Sequence, residues 1–305
     1  MSATQTTELF QYISDAHLEN CRDYPRLTPT ARYLFLVGDI GHVSSPVWRE
    51  FIQYLHGQIN PCPTGDSVDW HRIFYVLGNH EYYSNSKTMP VLLQAYKDYL
   101  ADFPGITLLD RDGVILLPET KNGFADHGKI VVLGATMWPV AEFSLVQQIN
   151  DFRRINLKAD GVKLQRPEQS SANPANPASR TINITPPAMN ELHLADREWL
   201  FEKLAETLTN NPDIQTIIIL SHFPLTREGT SAPEYSGQKQ AIKNYYANEY
   251  HNDLLVLAGE WLSAKTENPG KKQIISISGH THFGYDFMRD DIRYLNSGAW
   301  GFHLQ

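Results

Sequence analysis

The chain has 305 residues, of which 42% are hydrophobic and 20% are charged, and its formal net charge is -8. This composition is typical of a globular protein, and the negative balance excludes a basic surface spread over the whole molecule, so a bound phosphate must find local positive charge. Cys21 and Cys62 form no Cys-x-x-Cys pair, the apolar runs are far shorter than the roughly 20 residues of a membrane span, and the first residues lack signal-peptide features. We therefore expect a cytoplasmic protein without a membrane segment.

Short apolar segments rich in β-branched and aromatic residues recur along the chain and predict strands. Their apolar character is nearly continuous, which is typical of strands that are covered on both faces. A hairpin that turns at Asp290 and Asp291 is expected near the end of the chain, and a similar turn is expected at 111–113. The principal predicted strands begin at Leu9, Arg32, Arg72, Lys129, Gln215 and Gln273.

Predicted helices alternate with these strands. The first has Ser45 as its N-cap and Pro46 at its first helical position. Segments 89–103 and 192–208 carry apolar residues at helical spacing, and 252–264 forms the last predicted helix. The alternation of strands and helices predicts a layered α/β domain.

One segment, at about 158–188, departs from this pattern. It is rich in Pro, Ser and Asn, which predicts a long loop or insertion rather than a part of the core. The strands before and after it are expected to belong to one sheet system. We therefore expect a single domain over 1–305 that carries this insertion.

Five of the predicted strands are followed immediately by residues of the types that bind metals. Because the carboxyl ends of strands in an open α/β sheet form the usual binding edge, these loops are expected to converge. Residues i and i+2 of an extended segment point the same way, so Asp-x-His and His-x-His pairs can each present two ligands to one site. The candidate residues are Asp15, His17, Asp39, His42, Asn79, His80, Glu81, His222, His280 and His282.

The ordered motifs Asp-x-His, Gly-Asp, Gly-Asn-His-Glu, a single His and Gly-His-x-His resemble those of the calcineurin-like metallophosphoesterases. They extend from Asp15 to His282 and so cover nearly the whole chain. The resemblance implies an α/β fold, a four-layer αββα sandwich with a dinuclear metal site at the carboxyl ends of the strands. It also implies a metal-dependent phosphoric ester hydrolase, either a phosphatase or a phosphodiesterase.

The resemblance further implies a metal role for each ligand. The ligands form two groups bridged by Asp39, namely Asp15, His17 and His282 for one ion and Asn79, His222 and His280 for the other. Oxygen and nitrogen donors without a thiolate suit two divalent or transition metal ions such as Mn, Fe, Zn, Co or Ni. The ions would also supply the positive charge that an acidic chain needs in order to bind phosphate.

The reaction expected of such a centre is an attack on phosphorus by a metal-bridging hydroxide. His80 directly follows the ligand Asn79, and adjacent side chains diverge, so His80 is the expected general acid or transition-state stabiliser. Glu81 is expected to be a further catalytic residue that orients His80.

Substrate contacts are less defined by the sequence. The family often has an arginine shortly after Gly-Asp, and here the sequence is Ile-Gly-His-Val, so that arginine is missing. His42, Arg153 and Arg154 are candidate substrate contacts, and a surface or structural role is the alternative for each. Aromatic residues near the site loops could stack on a base or an aryl group, or serve in packing: Tyr82, Tyr83, Trp138 and Trp300.

The expected substrate is a small phosphodiester or phosphomonoester, and the missing arginine slightly favours a diester. A serine/threonine protein phosphatase or a nuclease is the alternative, although no basic stripe with interleaved aromatics indicates a nucleic-acid surface. A non-catalytic scaffold on the same fold is a remote alternative, because every expected ligand type is present. The sequence leaves the substrate, the metal pair and the oligomeric state open.

Overall fold

Two β-sheets dominate the computed structural model, which describes residues 8–60, 69–116, 129–158, 181–235, 238–263 and 272–298. The first sheet has four parallel strands in the order β1-β2-β3-β4. Every residue of β2 is buried, as its continuous apolar sequence predicts. The strand bounds are β1 Glu8–Ile13, β2 Ala31–Val37, β3 Arg72–Val76 and β4 Ile106–Leu109.

The second sheet has six strands in the order β11-β12-β10-β9-β6-β5. Its four central strands are parallel, and β11 and β5 add antiparallel edges. A small separate sheet pairs β7 with β8. The bounds are β5 Asp112–Leu116, β6 Lys129–Ala135, β7 Asn156–Lys158, β8 Thr181–Asn183, β9 Ile214–Ser221, β10 Gln273–Ile277, β11 Tyr285–Arg289 and β12 Ile292–Asn296.

Helices cover the outer face of each sheet. Helices α1 and α2 pack on the first sheet, and α4 and α6 pack on the second. Within the described ranges, no helix combines the length and the apolar character needed to cross a membrane. The bounds are α1 Pro46–His56, α2 Met89–Leu100, α3 Asp151–Arg154, α4 Pro186–Asn210, α5 Gln240–Tyr246 and α6 His251–Ser263, with short 3-10 helices at Leu18–Asn20, His80–Tyr82, Phe143–Leu145 and Pro233–Tyr235.

An apolar core lies between the two sheets. Phe35 and Val37 of β2 meet Ile218 and Leu220 of β9 in this core, whereas Leu34 of β2 faces the helices. Because successive residues of a strand face opposite sides, each sheet buries one face against the other sheet and one face under helices. The layers therefore run α, β, β, α, and the predicted fold class is confirmed.

The two predicted turns have different outcomes. Asp290 and Asp291 both have positive φ, 47° and 66°, and they close the antiparallel hairpin of β11 and β12 as expected. A turn is also present at Arg111, whose φ is 54°. This second turn does not close a hairpin, because β4 before it belongs to the first sheet and β5 after it pairs with β6 in the second.

The predicted insertion at about 158–188 lies mostly outside the described residues, which omit 159–180. Its last part is ordered secondary structure, because Thr181–Asn183 forms β8 and α4 begins at Pro186. The Thr185 hydroxyl caps α4 by accepting a hydrogen bond from the backbone N–H of Ala188, and Pro186 occupies a first-turn position that needs no donor. The single-domain organisation stays a prediction.

Candidate metal centre

The carboxyl ends of five parallel strands bring the predicted ligands together. Strands β1, β2 and β3 are neighbours in the first sheet, and β9 and β10 are neighbours in the second. The loops of the two sheets meet: His222 Nε2, after β9, lies 2.9 Å from Asn79 Oδ1, after β3, and 3.3 Å from Asp39 Oδ2, after β2. The candidate site is therefore built across the sandwich rather than within one sheet.

The first predicted ligand group forms one tight cluster. His17 Nε2 lies 3.2 Å from His282 Nε2, and His282 Nε2 lies 3.4 Å from Asp15 Oδ1. The ligand atoms of these three residues lie within 4.8 Å of one another, as a shared metal ion requires. The Asp15 carboxylate also accepts the backbone N–H of His280, which fixes the loop after β10 against the loop after β1.

Asp39 lies at the centre of the constellation. Its Oδ2 atom is 3.3 Å from His222 Nε2, 4.0 Å from His17 Nε2 and 3.9 Å from His80 Nε2. Its Oδ1 atom accepts the backbone N–H of His80 at 2.9 Å. One carboxylate therefore reaches imidazoles from both predicted ligand groups, and His80 lies as near to it as His17 does.

The second predicted ligand group is more buried. His222 is fully buried, and its Nδ1 lies 3.1 Å from the carbonyl oxygen of Val37, so a proton on Nδ1 leaves the Nε2 lone pair facing Asn79 and Asp39. The His280 ring lies 5.2 Å from the His222 ring. Among the described residues, the buried His280 Nε2 has no hydrogen-bond partner.

The backbone of these loops is held in an uncommon conformation. Five predicted ligand residues have φ in the left-handed region: Asp15 53°, His17 47°, Asp39 53°, His280 66° and His282 54°. Each such non-glycine residue costs on the order of 1–3 kcal/mol, and strain of this kind concentrates at functional sites. The conformation directs side chains from separate strand ends toward one point.

These residues fit metal ions. A cation would satisfy three arrangements in this cluster. The His222 Nε2 lone pair faces two oxygen acceptors, and the buried His280 Nε2 has no partner among the described residues. The Nε2 atoms of His17 and His282 lie 3.2 Å apart. Glycines provide the space: a Cβ atom at Gly78 would lie 2.3 Å from Asp39 Oδ1, and one at Gly38 would lie 2.3 Å from His222 Nδ1. The donor set contains no thiolate, which suits borderline and hard divalent ions.

The charged groups of the cluster lower the pKa of the Asp39 carboxyl and raise the pKa of two neighbouring imidazoles. Burial alone would raise the pKa of Asp39, but the neighbouring imidazoles, His222 first, hold it well below its usual value. Burial alone would lower the pKa of His222 and His80, yet the Asp39 carboxylate raises both to about 9. Burial and then His222 lower the pKa of His280 well below its usual value, which keeps that imidazole neutral, as a metal ligand must be.

A sequence model of the calcineurin-like phosphoesterase family matches residues 6–284. This chain belongs to the calcineurin-like phosphoesterases. It is accordingly a metal-dependent hydrolase of phosphoric esters, and the predicted family and enzyme class are confirmed.

Two known proteins match this phosphoesterase along most of their length. Uncharacterized protein L509 of Acanthamoeba polyphaga mimivirus is 23% identical over 303 residues, which cover 93% of this chain and 88% of the viral protein. Among solved structures, the phosphopantetheinyl hydrolase PptH of Mycobacterium tuberculosis aligns over 94% of this chain and 88% of its own, with 16% identity and a TM-score of 0.51. The second likeness shows a shared fold.

Glu81 makes different contacts from those that the sequence of the phosphoesterase suggests. This fully buried carboxylate accepts the backbone N–H groups of Asp39 at 2.9 Å, Ile40 at 2.8 Å and Gly78 at 2.8 Å, and the Tyr75 hydroxyl at 2.7 Å. In the described part of the chain, no hydrogen bond or ion pair joins the Glu81 and His80 side chains. Glu81 instead joins the loop after β2 to the loop after β3.

The carboxylate that contacts the His80 ring belongs to Glu19, which the sequence analysis missed. Glu19 Oε1 lies 3.2 Å from His80 Nδ1 and 3.4 Å from His17 Nδ1. Burial would raise the pKa of Glu19, but hydrogen bonds from His17 and His80 lower it to about 2. Glu19 lies two residues after His17, and the 3-10 helix at Leu18–Asn20 turns its carboxylate back toward both imidazoles.

A second missed carboxylate, Asp151, holds the predicted ligand Asn79. Asp151 is buried and accepts hydrogen bonds from Asn79 Nδ2 at 2.9 Å, from the Tyr83 hydroxyl at 2.6 Å and from the Tyr245 hydroxyl. Because the amide nitrogen of Asn79 is bonded to Asp151, its Oδ1 atom faces His222 and the centre. Asp151 lies in helix α3 together with Arg153 and Arg154, two of the predicted substrate contacts.

The predicted substrate contacts lie at different distances from the centre. His42 Nδ1 is 2.6 Å from the Ser44 hydroxyl, and its buried Nε2 has no partner among the described residues. The Arg153 guanidinium donates to the carbonyl oxygen of Gln147. Arg154 lies over the Tyr83 ring at 5.4 Å, and that ring stacks on His80 at 4.2 Å, so Arg154 is separated from His80 by a single ring.

The other aromatic residues predicted near the site have mixed outcomes. Tyr82 and Trp138 are buried and pack against each other with ring centroids 5.8 Å apart, which is a packing role. Trp300 lies outside the described residues. Among the described predicted aromatics, Tyr83 contacts the candidate site, where its ring stacks on His80 at 4.2 Å and its hydroxyl lies 3.3 Å from Asn79 Nδ2.

Proposed function

We propose that this phosphoesterase hydrolyses a small phosphodiester or phosphomonoester with the help of two divalent metal ions. The proposed ligands are Asp15, His17 and His282 for one ion, Asn79, His222 and His280 for the other, and Asp39 for both. The observation that most supports this proposal is the position of Asp39, whose Oδ2 lies 3.3 Å from His222 Nε2 and 4.0 Å from His17 Nε2. A single carboxylate thus reaches imidazoles of both groups.

Two bound ions would polarise a phosphoryl oxygen and lower the pKa of a nearby water molecule. The chain itself determines from which side a phosphoester can approach. Asp15 and His222 have fully buried side chains, whereas 29% of the His80 side chain and 39% of the His282 side chain are exposed. The substrate therefore enters on the His80 and His282 side.

His80 is the proposed proton donor to the leaving oxygen. Its Nδ1 lies 3.2 Å from Glu19, so the Nδ1–H group of the protonated ring forms a hydrogen bond to that carboxylate. The proton that can be transferred is then the one on Nε2. Nε2 lies 3.9 Å from Asp39 Oδ2, close to the centre and on the exposed side. Glu19 is a positioning residue in this proposal, because it fixes the His17 and His80 rings through the same oxygen.

The proposal is tested by reconstituting the protein with Mn, Fe, Zn, Co or Ni and assaying 4-nitrophenyl phosphate and bis(4-nitrophenyl) phosphate. We expect metal-dependent release of nitrophenol from at least one ester. Asp39→Asn removes the charge of the proposed shared ligand, so the amount of bound metal should fall. We expect kcat/KM to drop at least about 100-fold, which is more than replacing a residue that only contacts a ligand usually costs.

The matched control is Asp98→Asn, which makes the same change at an exposed carboxylate of α2 that bonds Gln94. It should retain wild-type metal content and activity. Wild-type activity in Asp39→Asn would contradict the assignment of Asp39 as the shared ligand. A metal-loaded wild-type protein that hydrolyses neither ester would contradict the proposed reaction on small esters.

A further inference from the structure

A cavity of about 270 Å³ lies beside the metal centre. One wall is the segment 227–233, which follows β9 and His222, and the other is the C-terminal part of α5. Its volume approaches the lower end of the range for small-molecule sites, about 300 Å³. The cavity can therefore hold one substituent of a substrate rather than a whole large ligand.

Tyr246 connects this cavity to the proposed metal ligands. It lines the cavity, and its ring centroid lies 5.4 Å from that of His280. The preceding Tyr245 lies 6.1 Å from the same His280 ring and donates to Asp151. The last turn of α5 thus lies against both the cavity and the His280 ring, and a substrate held at the centre would reach the cavity by passing Tyr246.

The charge of the lining is unusual for this acidic chain. Arg227 and Lys243 line the cavity, and among the described residues no Asp or Glu does. The Arg227 guanidinium is held by Asn244 and lies 3.3 Å from Glu249, so its charge is partly compensated. Lys243 has neither a hydrogen bond nor an ion pair from its ammonium group within the described ranges. Lys243 therefore supplies an unpaired positive charge at this cavity.

The apolar part of the lining strengthens the attraction between Lys243 and a bound anion. Ala232, Ile242 and Ala247 present apolar surface beside the two basic residues. An anion near apolar walls interacts more strongly with a lysine than one in open solvent does, because the local dielectric is lower. An apolar wall also favours an apolar linker between the anion and the group held at the centre.

We propose that this cavity is a substrate subsite that binds a second anionic group, a carboxylate or a phosphate, joined to the phosphoester by a short apolar linker. This inference rests on the proposed function, since the phosphoester group is placed at the metal centre. Lys243 is the specificity-determining residue, Tyr246 forms the wall along which the linker runs, and Arg227 adds a second, fixed positive charge.

The test measures binding rather than turnover. Isothermal titration of the Mn-reconstituted protein compares three non-hydrolysable probes: 4-carbamoylbenzylphosphonate, 4-carboxybenzylphosphonate and 1,4-xylylenediphosphonate. The first two have nearly the same shape and differ in the charge of the distal group. We expect either distal anion to bind about ten-fold more tightly than the neutral amide, as a hydrogen bond to a charged group provides. The tighter of the two anionic probes identifies the preferred anion.

The variants assign the preference to Lys243. Lys243→Gln should lose most of the preference for the anionic probes, with the remainder due to Arg227, and Lys243→Arg should retain the preference. Lys239→Gln removes the same charge from an exposed residue that precedes α5 and does not line the cavity, so it should behave as wild type. Equal binding of the three probes by wild type, or an unchanged preference in Lys243→Gln, overturns the subsite.

Hydrolysis of 4-nitrophenyl phosphate, which has no distal anion, keeps the two proposals separate. If that ester is hydrolysed while the probes bind equally, the subsite is wrong and the proposed function stands. If the probes show the preference while no ester is hydrolysed, the proposed function is wrong and the anion site stands.

Discussion

At the scale of single residues, two carboxylates determine which atoms face the metal centre. Glu19 engages the Nδ1 atoms of His17 and His80, and Asp151 engages the Nδ2 atom of Asn79. An imidazole and an amide can each present the wrong atom to a cation, and a fixed partner on the other atom removes that alternative. The positions of these two acids therefore affect the centre although neither is a proposed ligand.

Replacing Asp151 should weaken metal binding at the Asn79 side. In Asp151→Leu the Asn79 amide loses its acceptor and can present its NH₂ group toward His222. We expect one of the two metal affinities to fall by about 10–100-fold, the usual cost of losing an outer-shell partner. Competition with a calibrated chelator, read out by metal analysis, measures the two affinities.

The matched control for that experiment is Tyr245→Phe. This variant removes another hydrogen bond to Asp151 but leaves the contact between Asp151 and Asn79 intact. Its metal affinities should stay near wild type. Equal weakening in the two variants would show that Asp151 acts through local packing rather than through the Asn79 amide.

The side chains that meet at the strand ends could be predicted from sequence, whereas the carboxylates that contact them could not. The proposed ligands directly follow apolar strands, so strand ends and donor types indicate them from local sequence alone. Asp151 contacts Asn79, which is 72 positions away, and only tertiary packing creates that contact. Glu19 is nearer to its partners in sequence, but an acid two residues after a histidine is too common to be assigned a role without the fold.

At the scale of elements, Glu81 connects the loops that follow β2 and β3. Its carboxylate accepts backbone N–H groups from both loops, including Asp39 and Gly78. Parallel neighbouring strands align these loops, but the loops themselves have irregular backbone whose donors need acceptors. The motif Gly-Asn-His-Glu therefore combines a proposed ligand, a proposed acid and a loop anchor in three successive residues.

Replacing Glu81 should reduce stability in addition to activity. In Glu81→Gln an amide NH₂ group replaces one oxygen and faces backbone donors in a buried site. We expect the free energy of unfolding to fall by about 2–4 kcal/mol, since charge-assisted hydrogen bonds are lost and donors are left unpaired. Urea denaturation in excess chelator measures this without a contribution from metal binding.

The exposed Glu202→Gln on α4 serves as the control and should unfold as wild type does. An unchanged unfolding free energy in Glu81→Gln, combined with a large loss of kcat, would support the catalytic role that the sequence suggests for Glu81.

The order of the elements was more predictable than their pairing. Alternating apolar strands and helices indicate a layered α/β fold, and β11 and β12 form the hairpin expected from their turn. The turn at Arg111 was recognisable, yet its partner strands were not, because β5 pairs with β6 across a separation that includes 117–128. Local sequence specifies a turn, whereas sheet membership depends on which edge the returning strand meets.

At the scale of the whole molecule, the proposed metal ligands come from both sheets. Asp15, Asp39 and Asn79 follow strands of the first sheet, whereas His222 and His280 follow strands of the second. Ions bound between these residues would link the sheets at one edge of the apolar core. Metal binding should therefore stabilise the sandwich as a whole.

Removal of metal should lower the thermal stability of the protein. Metal ions at about 100 times their Kd would raise the free energy of unfolding by about 2.7 kcal/mol per site, because the ligands are brought together only in the folded chain. The two sites together would contribute about 5 kcal/mol. At roughly 2–4 °C per kcal/mol, chelation should lower Tm by on the order of 10–20 °C, and added Mn should restore it. In Asp39→Asn the shift on chelation should be much smaller, because the shared ligand is lost, whereas Asp98→Asn should show the full shift. A Tm that does not respond to chelation or to added metal in the wild-type protein would show that the strand-end residues do not hold ions in the folded state.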